Sequence, residues 1–209
     1  MPQLTSDTSR VENIDFWENL YRTNVTPWDL GQAAPPFRTF LDSPYAIPRG
    51  TIGVLGCGSG HECLLFAEKG FEVVGIDFAP SAIAATQKKF EDAGLFKKNG
   101  FVVQRDMFDL HHLYGRFDYI LEHTCFCAID PSKRRTYSYT VKDLLKVGGK
   151  LVALWWLLEK RGGPPFSTDQ SEIFDLFKND FRFDIIHRPN DSVADRQNKE
   201  LFTVLTRMK

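Results

Sequence analysis

The stretch Val54-Leu55-Gly56-Cys57-Gly58-Ser59-Gly60-His61-Glu62, followed by Val73-Val74-Gly75-Ile76-Asp77, decides the fold. An apolar strand runs into glycines at positions 56, 58 and 60, and a helical pattern begins directly after them. A second strand then ends on an acid, Asp77. Glycine permits a sharp turn and close approach to a ligand, and a helix start leaves N–H groups without intrahelical partners. A carboxylate at the end of the next strand can accept hydrogen bonds from a pair of ribose hydroxyls. Together these features predict a nucleotide-type cofactor site at the first crossover of a parallel sheet.

The spacing narrows the cofactor. A dinucleotide fingerprint reads G-x-G-x-x-G, and its third glycine would stand where this chain has His61. The pattern here, G-x-G-x-G, resembles the nucleoside-binding loop of S-adenosylmethionine (SAM) methyltransferases. SAM carries no phosphate. Its amino-acid end bears an ammonium beside a carboxylate, so Glu62 early in the helix need not repel it.

Outward from this motif, strands and helices alternate. Helices are predicted at 13–22, 35–41, 61–69, 80–93, 131–146 and 170–178, and strands at 51–55, 71–76, 101–104, 117–122 and 150–157. Gly70 and Gly94 close two of the helices, and Pro80 opens another at its first turn. The helix after Pro131 offers Tyr139, Leu144 and Leu145 to its buried face, and the apolar run 150–157 suits a central strand covered on both sides. Two final strands, 183–187 and 201–207, form an antiparallel edge hairpin. The expected fold is a three-layer, doubly wound α/β domain, Rossmann-like, with a seven-stranded and mainly parallel sheet. With no linker or repeat, residues 1–209 read as a single domain whose first 45 residues form a helical lid segment.

Bulk properties exclude several functions. A chain of 209 residues, 43% hydrophobic and 25% charged with net charge −1, is an ordinary globular composition without an electrostatic footprint for nucleic acid. The longest apolar run, 151–158, is too short to span a bilayer, and residues 1–12 carry no hydrophobic signal region. A cytoplasmic, monomeric protein is expected. Its four cysteines, 57, 63, 125 and 127, are then reduced, and Cys125-Phe126-Cys127 is not a zinc spacing, so no metal is assigned. Convergence of these cysteines with His61 and His123 on a soft metal or metalloid is the competing arrangement.

Ligands in open parallel sheets bind beyond the carboxyl ends of the strands. That rule selects the glycine loop (Gly56, Gly58, Gly60), Asp77-Phe78, Asp106-Met107 and Glu122-His123. Asp106 can accept from an adenine amino group, while Phe78 or Met107 covers the ring. Trp17, Tyr21 and Trp28 precede the fold proper; they are either packing residues of an amphipathic helix or a cover for a sulfonium, since aromatic faces attract cations.

The run Phe16-Trp17-Glu18…Tyr21…Thr26-Pro27-Trp28-Asp29-Leu30-Gly31 resembles the N-terminal motif of the halide/thiocyanate/thiol methyltransferases, within the thiopurine S-methyltransferase-like superfamily. So do Phe117-Asp118-Tyr119-Ile120, Thr124-Cys125-Phe126-Cys127-Ala128-Ile129 and Gly162-Gly163-Pro164-Pro165-Phe166. The resemblance implies a class I methyltransferase in which Trp17, Tyr21, Trp28, Gly56, Asp77, Asp106, Met107 and the acid at 122 contact SAM. It implies methyl transfer to a small soft anion or thiol. The chain departs from that pattern at Glu122, where the family has Asp, at Tyr21, where relatives have Trp, at Phe166 in place of Tyr, and at the additional thiol Cys125.

A halide, thiocyanate, hydrosulfide or thiolate is already a nucleophile, so no catalytic base is assigned; His123 is the nearest candidate for a neutral thiol. The protein's task is alignment and exclusion of water, for which Trp28, Trp155 (or its neighbour Trp156) and Phe166 supply an apolar acceptor pocket. The alternatives are a thiopurine or other bulky-thiol S-methyltransferase, a nicotinamide-dependent oxidoreductase, and a SAM-binding regulator without turnover. Acceptor identity lies beyond the sequence.

Overall fold

The computed structural model describes residues 9–209. Residues 1–8 of the expected lid lie outside the described residues. A seven-stranded sheet forms the centre, built from β1 (Thr51–Leu55), β2 (Glu72–Asp77), β3 (Gly100–Gln104), β4 (Phe117–His123), β5 (Leu145–Trp156), β6 (Phe181–His187) and β7 (Glu200–Arg207). Their spatial order is β3-β2-β1-β4-β5-β7-β6. The first five run parallel, and β7 pairs antiparallel with both β5 and β6. The expected doubly wound sheet with its antiparallel edge hairpin is thus observed. Among the described residues, no helix is long and apolar enough to cross a membrane.

Period-two alternation divides the core between the two faces. On one face, Val54, Val73, Leu121, Val152 and Leu154 meet Phe37 and Phe40 of α2 (Pro35–Leu41), Phe66 of α3 (His61–Glu68) and Phe90 of α4 (Pro80–Asp92). On the other, Leu55, Ile120, Leu151, Ala153 and Trp155 meet Tyr137, Val141 and Leu144 of α5 (Arg134–Leu144) and Ile173 and Phe177 of α6 (Gln170–Phe177). Each large apolar side chain fully buried in this way contributes ~1.5–3 kcal/mol.

The helix after Pro131 departs from expectation. Asp130 accepts from Ser132 N at 2.8 Å and caps a short 3-10 turn, Pro131–Lys133, before α5 begins. The buried stripe is Tyr137, Val141 and Leu144, and Tyr139 points to solvent at 50% exposure. Leu145 already belongs to β5, paired with Phe117. Tyr137 and Tyr139 lie about 200° apart on a helix, so only one can face the sheet.

The N-terminal α1 (Ile14–Arg22) begins at Asn13, whose side chain accepts from Asp15 N. It is anchored to α4 by Glu18, which accepts from Ser81 N at 2.9 Å and the Ser81 hydroxyl at 2.6 Å. A carboxylate at a helix start satisfies free N–H groups and matches the helix dipole. This contact fixes α1 above the carboxyl end of the sheet.

Candidate active site

β1 and β2 leave the sheet side by side, and their ends are stitched together. Cys57 N donates to Ile76 O at 3.0 Å and Gly58 N to Asp77 Oδ2 at 3.1 Å. Gly56, Gly58 and Gly60 all take positive φ, at 60°, 54° and 76°. At Gly60 a side chain would also collide, since a Cβ would sit 2.8 Å from Thr86 Cα of α4. The glycine turn is therefore held as much by protein packing as by any need to approach a ligand.

Above it lies a cavity of about 500 Å³, within the size range of small-molecule sites. Gly56, Asp77, Phe78, Asp106 and Met107 line its sheet side, and Trp17, Tyr21 and Trp28 line the side formed by the N-terminal segment. The three aromatics form one edge-to-face group, with ring centroids 5.4 Å apart for Trp17 and Trp28 and 5.7 Å for Tyr21 and Trp28. Phe16 extends the group at 5.1 Å from Trp17. Eight of the expected residues thus surround one space.

The segment carrying Trp28 is held by Asp29. Its Oδ1 lies 3.0 Å from His61 Nε2 and its Oδ2 accepts from the Ser59 hydroxyl at 2.5 Å. The His61 hydrogen bond, joined by those from Ser59 and Gly31 N, holds the Asp29 carboxyl well below its ordinary range despite partial burial. Asp77 shows the opposite balance: burial raises its carboxyl, against backbone N–H groups of Ala79, Gly58 and Phe78. Burial, reinforced by the Asp77 charge, likewise raises the Tyr21 phenol.

The remaining expected residues stand elsewhere. Gly58 and Gly60 support the turn without lining the cavity. Glu122 is 1% exposed and turns into the core, where it accepts from Phe126 N at 2.9 Å and from the Tyr137 hydroxyl. Trp155 is a core residue, its indole donating to Thr203 Oγ1 at 2.8 Å. Its neighbour Trp156 lines the cavity instead, because successive side chains on a strand point to opposite faces. Phe166 is buried against Gly163 and outside the lining, which Pro164 and Pro165 supply. Glu62 turns away from the cavity, accepting from Ala34 N at 3.0 Å and meeting His123 Nδ1 at 2.9 Å.

His123 is fully engaged. Its Nε2 lies 3.1 Å from Arg196 Nη1, and a guanidinium can only donate. Nε2 therefore accepts, Nδ1 carries the hydrogen, and Glu62 receives it. The ring has no nitrogen left for a substrate. Among the described residues no group of three or more His, Cys, Asp and Glu side chains is placed to hold a metal ion.

Sequence reasoning missed several lining residues, among them Arg10, Val11, Cys127 and Pro165, and left Trp155 and Trp156 as alternatives. Strand alternation was an available signal for Trp156. Arg10 and Val11 sit in a 3-10 turn, Ser9–Glu12, that contributes to the cavity wall. Trp17 Nε1 donates to Val11 O at 2.9 Å, Arg10 Nη2 to Gly163 O at 2.6 Å, and Glu12 meets Lys133 at 3.6 Å.

A glycine turn after β1, an acid at the end of β2 and an aromatic-capped cavity on a sheet of this order define a class I SAM-dependent methyltransferase. The chain belongs to the thiopurine S-methyltransferase family, whose model it matches over residues 12–208. It is 33% identical over 157 residues to a probable thiol methyltransferase 2 of Arabidopsis thaliana, covering 75% of this chain and 68% of that one. Thiocyanate methyltransferase 1 of Brassica oleracea is 32% identical over 186 residues, with 88% and 81% covered. The fold is shared with a Burkholderia thailandensis 1,6-didemethyltoxoflavin-N1-methyltransferase solved with bound S-adenosylhomocysteine, at TM-score 0.73 and 16% identity over 100% of this chain and 93% of that one.

Proposed function

We propose that this chain moves a methyl group from SAM to a small soft nucleophile: a thiol, hydrosulfide, thiocyanate or halide. One observation carries the reading. Among the described residues lining the cavity there is no histidine, and His123, at the end of β4, has both ring nitrogens committed. The carboxylates that do line it, Glu12, Asp106 and Asp130 among them, are weak bases towards a thiol, so a nucleophile reacting there arrives ionised or ionises readily. Relatives named for thiol and thiocyanate methylation support the same class.

The residues present fit SAM. Asp77 accepts from Gly58 N through Oδ2 at 3.1 Å and from Ala79 N through Oδ1 at 3.0 Å, with the Phe78 N–H also directed at it, and an ionised carboxylate has about four acceptor positions. An acceptor position remains for the ribose hydroxyls. Asp106 is exposed beside Met107, placed for an adenine edge and face. Phe16, Trp17, Tyr21 and Trp28 give the cavity aromatic faces suited to a sulfonium. SAM, when bound, would supply an activated methyl group whose carbon a soft nucleophile takes in line, with S-adenosylhomocysteine as the leaving group. Trp28, Trp156, Ile129, Pro164 and Pro165 would strip water from the nucleophile and hold it in line. The turn at Ser9–Glu12 would act as a lid, through its contacts with Gly163 and Lys133.

A bulky ring thiol is the second reading, favoured by a cavity of about 500 Å³. One experiment separates these readings: incubation with SAM and, in turn, iodide, thiocyanate, hydrosulfide, aryl thiols and 6-mercaptopurine, with S-adenosylhomocysteine and the methylated product both quantified. Product from the small anions supports the first reading, and product from the ring thiols alone supports the second. No product from any acceptor overturns both.

A further inference from the structure

We propose that Arg196 sets the preference of the acceptor end of the cavity for an anion, acting through Trp156; this rests on the methyl-transfer reading above. Arg196 is 3% exposed, ends the 3-10 turn Ala194–Arg196 just before β7, and does not line the cavity. Its guanidinium carbon lies 4.5 Å from the ring centroid of Trp156, which does line it. Nη2 donates to the carbonyl of Trp28, a second wall residue, at 2.9 Å. Two aromatic walls of the cavity therefore depend on one buried cation.

One buried carboxylate faces this cation. Glu200 Oε1 stands 3.5 Å from Nη1, and that buried oxygen has no hydrogen-bond partner. His123, the other neighbour, accepts through Nε2 and is neutral. An indole face is electron-rich and repels an anion. A guanidinium stacked on the ring offsets that repulsion and adds its own attraction, which apolar surroundings screen weakly. A purely structural pin would need the hydrogen bonds to Trp28 and His123, yet it would not need a guanidinium stacked on a cavity wall. Arg196 is thus a positioning and specificity residue that never touches the acceptor.

Two variants of the full chain test this in opposite directions. Arg196→Met combined with Glu200→Gln removes both charges and leaves no unpaired buried carboxylate. It is expected to raise KM for thiocyanate at least tenfold, with SAM affinity by calorimetry within about twofold. Glu200→Gln alone keeps the cation, deprives it of its counter-charge, and is expected to lower that KM severalfold. Arg196→Lys, which keeps the charge, is expected to recover most of the lost affinity. The proposal is overturned if KM for thiocyanate stays constant in the first two variants, if SAM affinity and KM shift together, or if Arg196→Lys is as impaired as the double variant. If the double variant does not fold, the direction of the Glu200→Gln shift decides. A wild-type chain that methylates only acceptors uncharged at the assay pH overturns this proposal and leaves the methyltransferase reading standing; a wild-type chain with no turnover removes both.

Discussion

His123 Nδ1 lies 2.9 Å from Glu62 Oε1, which ties the last residue of β4 to the first turn of α3 across the mouth of the sheet. The pair joins the crossover that carries the glycine turn to the strand that leads into the acceptor walls. With Arg196 on the other ring nitrogen, His123 works as a strut.

Replacing His123 with Ala is expected to lower turnover of thiocyanate by less than about 100-fold, the low end of what a general base supplies. The same change leaves the buried Glu62 carboxylate without one partner and should cost ~1–3 kcal/mol of stability. Steady-state rates at saturating SAM and urea melts measure the two effects separately. Loss of several orders of magnitude in rate with SAM binding intact would make His123 the base after all.

Asp77→Asn should weaken SAM binding by about tenfold or more, corresponding to ~1.4 kcal/mol per factor of ten. The amide keeps the shape but offers one acceptor oxygen where the carboxylate offers two. Calorimetry with SAM and with S-adenosylhomocysteine checks it; an unchanged affinity for both would remove Asp77 from the donor site.

Gly60→Ala is expected to destabilise the fold by at least ~1–2 kcal/mol, the cost of a left-handed backbone for an L-residue. The Cβ would also sit 2.8 Å from Thr86 Cα, so α4 must shift. Denaturant unfolding measures the loss, and a variant as stable as the parent would show that the turn can relax.

The cavity thiols should be inert. Burial pushes Cys127 up to about 12 and Cys125 well above the ordinary thiol range, and the thiolate is the reactive form. Iodoacetamide at pH 8 is expected to leave both unmodified in the folded protein while labelling them fully in urea, as read by peptide mass spectrometry. Rapid labelling of either in the folded protein would contradict this.

Acid should loosen the segment that carries Trp28. The carboxyl of Asp29 is held below its unfolded value by His61, so its contribution is complete above that value, near ~3.9, and is lost as pH falls towards the lower folded value. Tm of the parent should therefore fall below about pH 4 more steeply than that of Asp29→Asn. The variant should melt lower than the parent at neutral pH. Parallel pH slopes would remove Asp29 from the acid response.

The sheet was largely legible because its strands are apolar runs punctuated by glycine. That Gly56, Asp77 and Asp106 line one cavity was legible too, because their positions follow from chain order along consecutive strands. The acceptor end was less so. Choosing Trp156 over Trp155 requires the register of β5, in which Leu151, Ala153 and Trp155 face α5 and α6. Glu122 looked like a ligand residue because it ends a strand, yet Phe126 N and Tyr137 pull it inward through contacts that local spacing does not reveal. Arg196 gave no local signal, since its partners His123 and Trp28 lie 73 and 168 positions away.

The sheet order has a consequence for how such a protein diversifies. Gly56, Asp77 and Asp106 end or follow the strands on one side of the boundary between β1 and β4, whereas Cys127, Trp156 and Pro165 end or follow strands on the other. On the proposed reading, substitutions that reshape the nucleophile's half can accumulate without disturbing the half that would recognise the donor. One molecular frame can thereby explore new chemistry while its fuel supply stays constant.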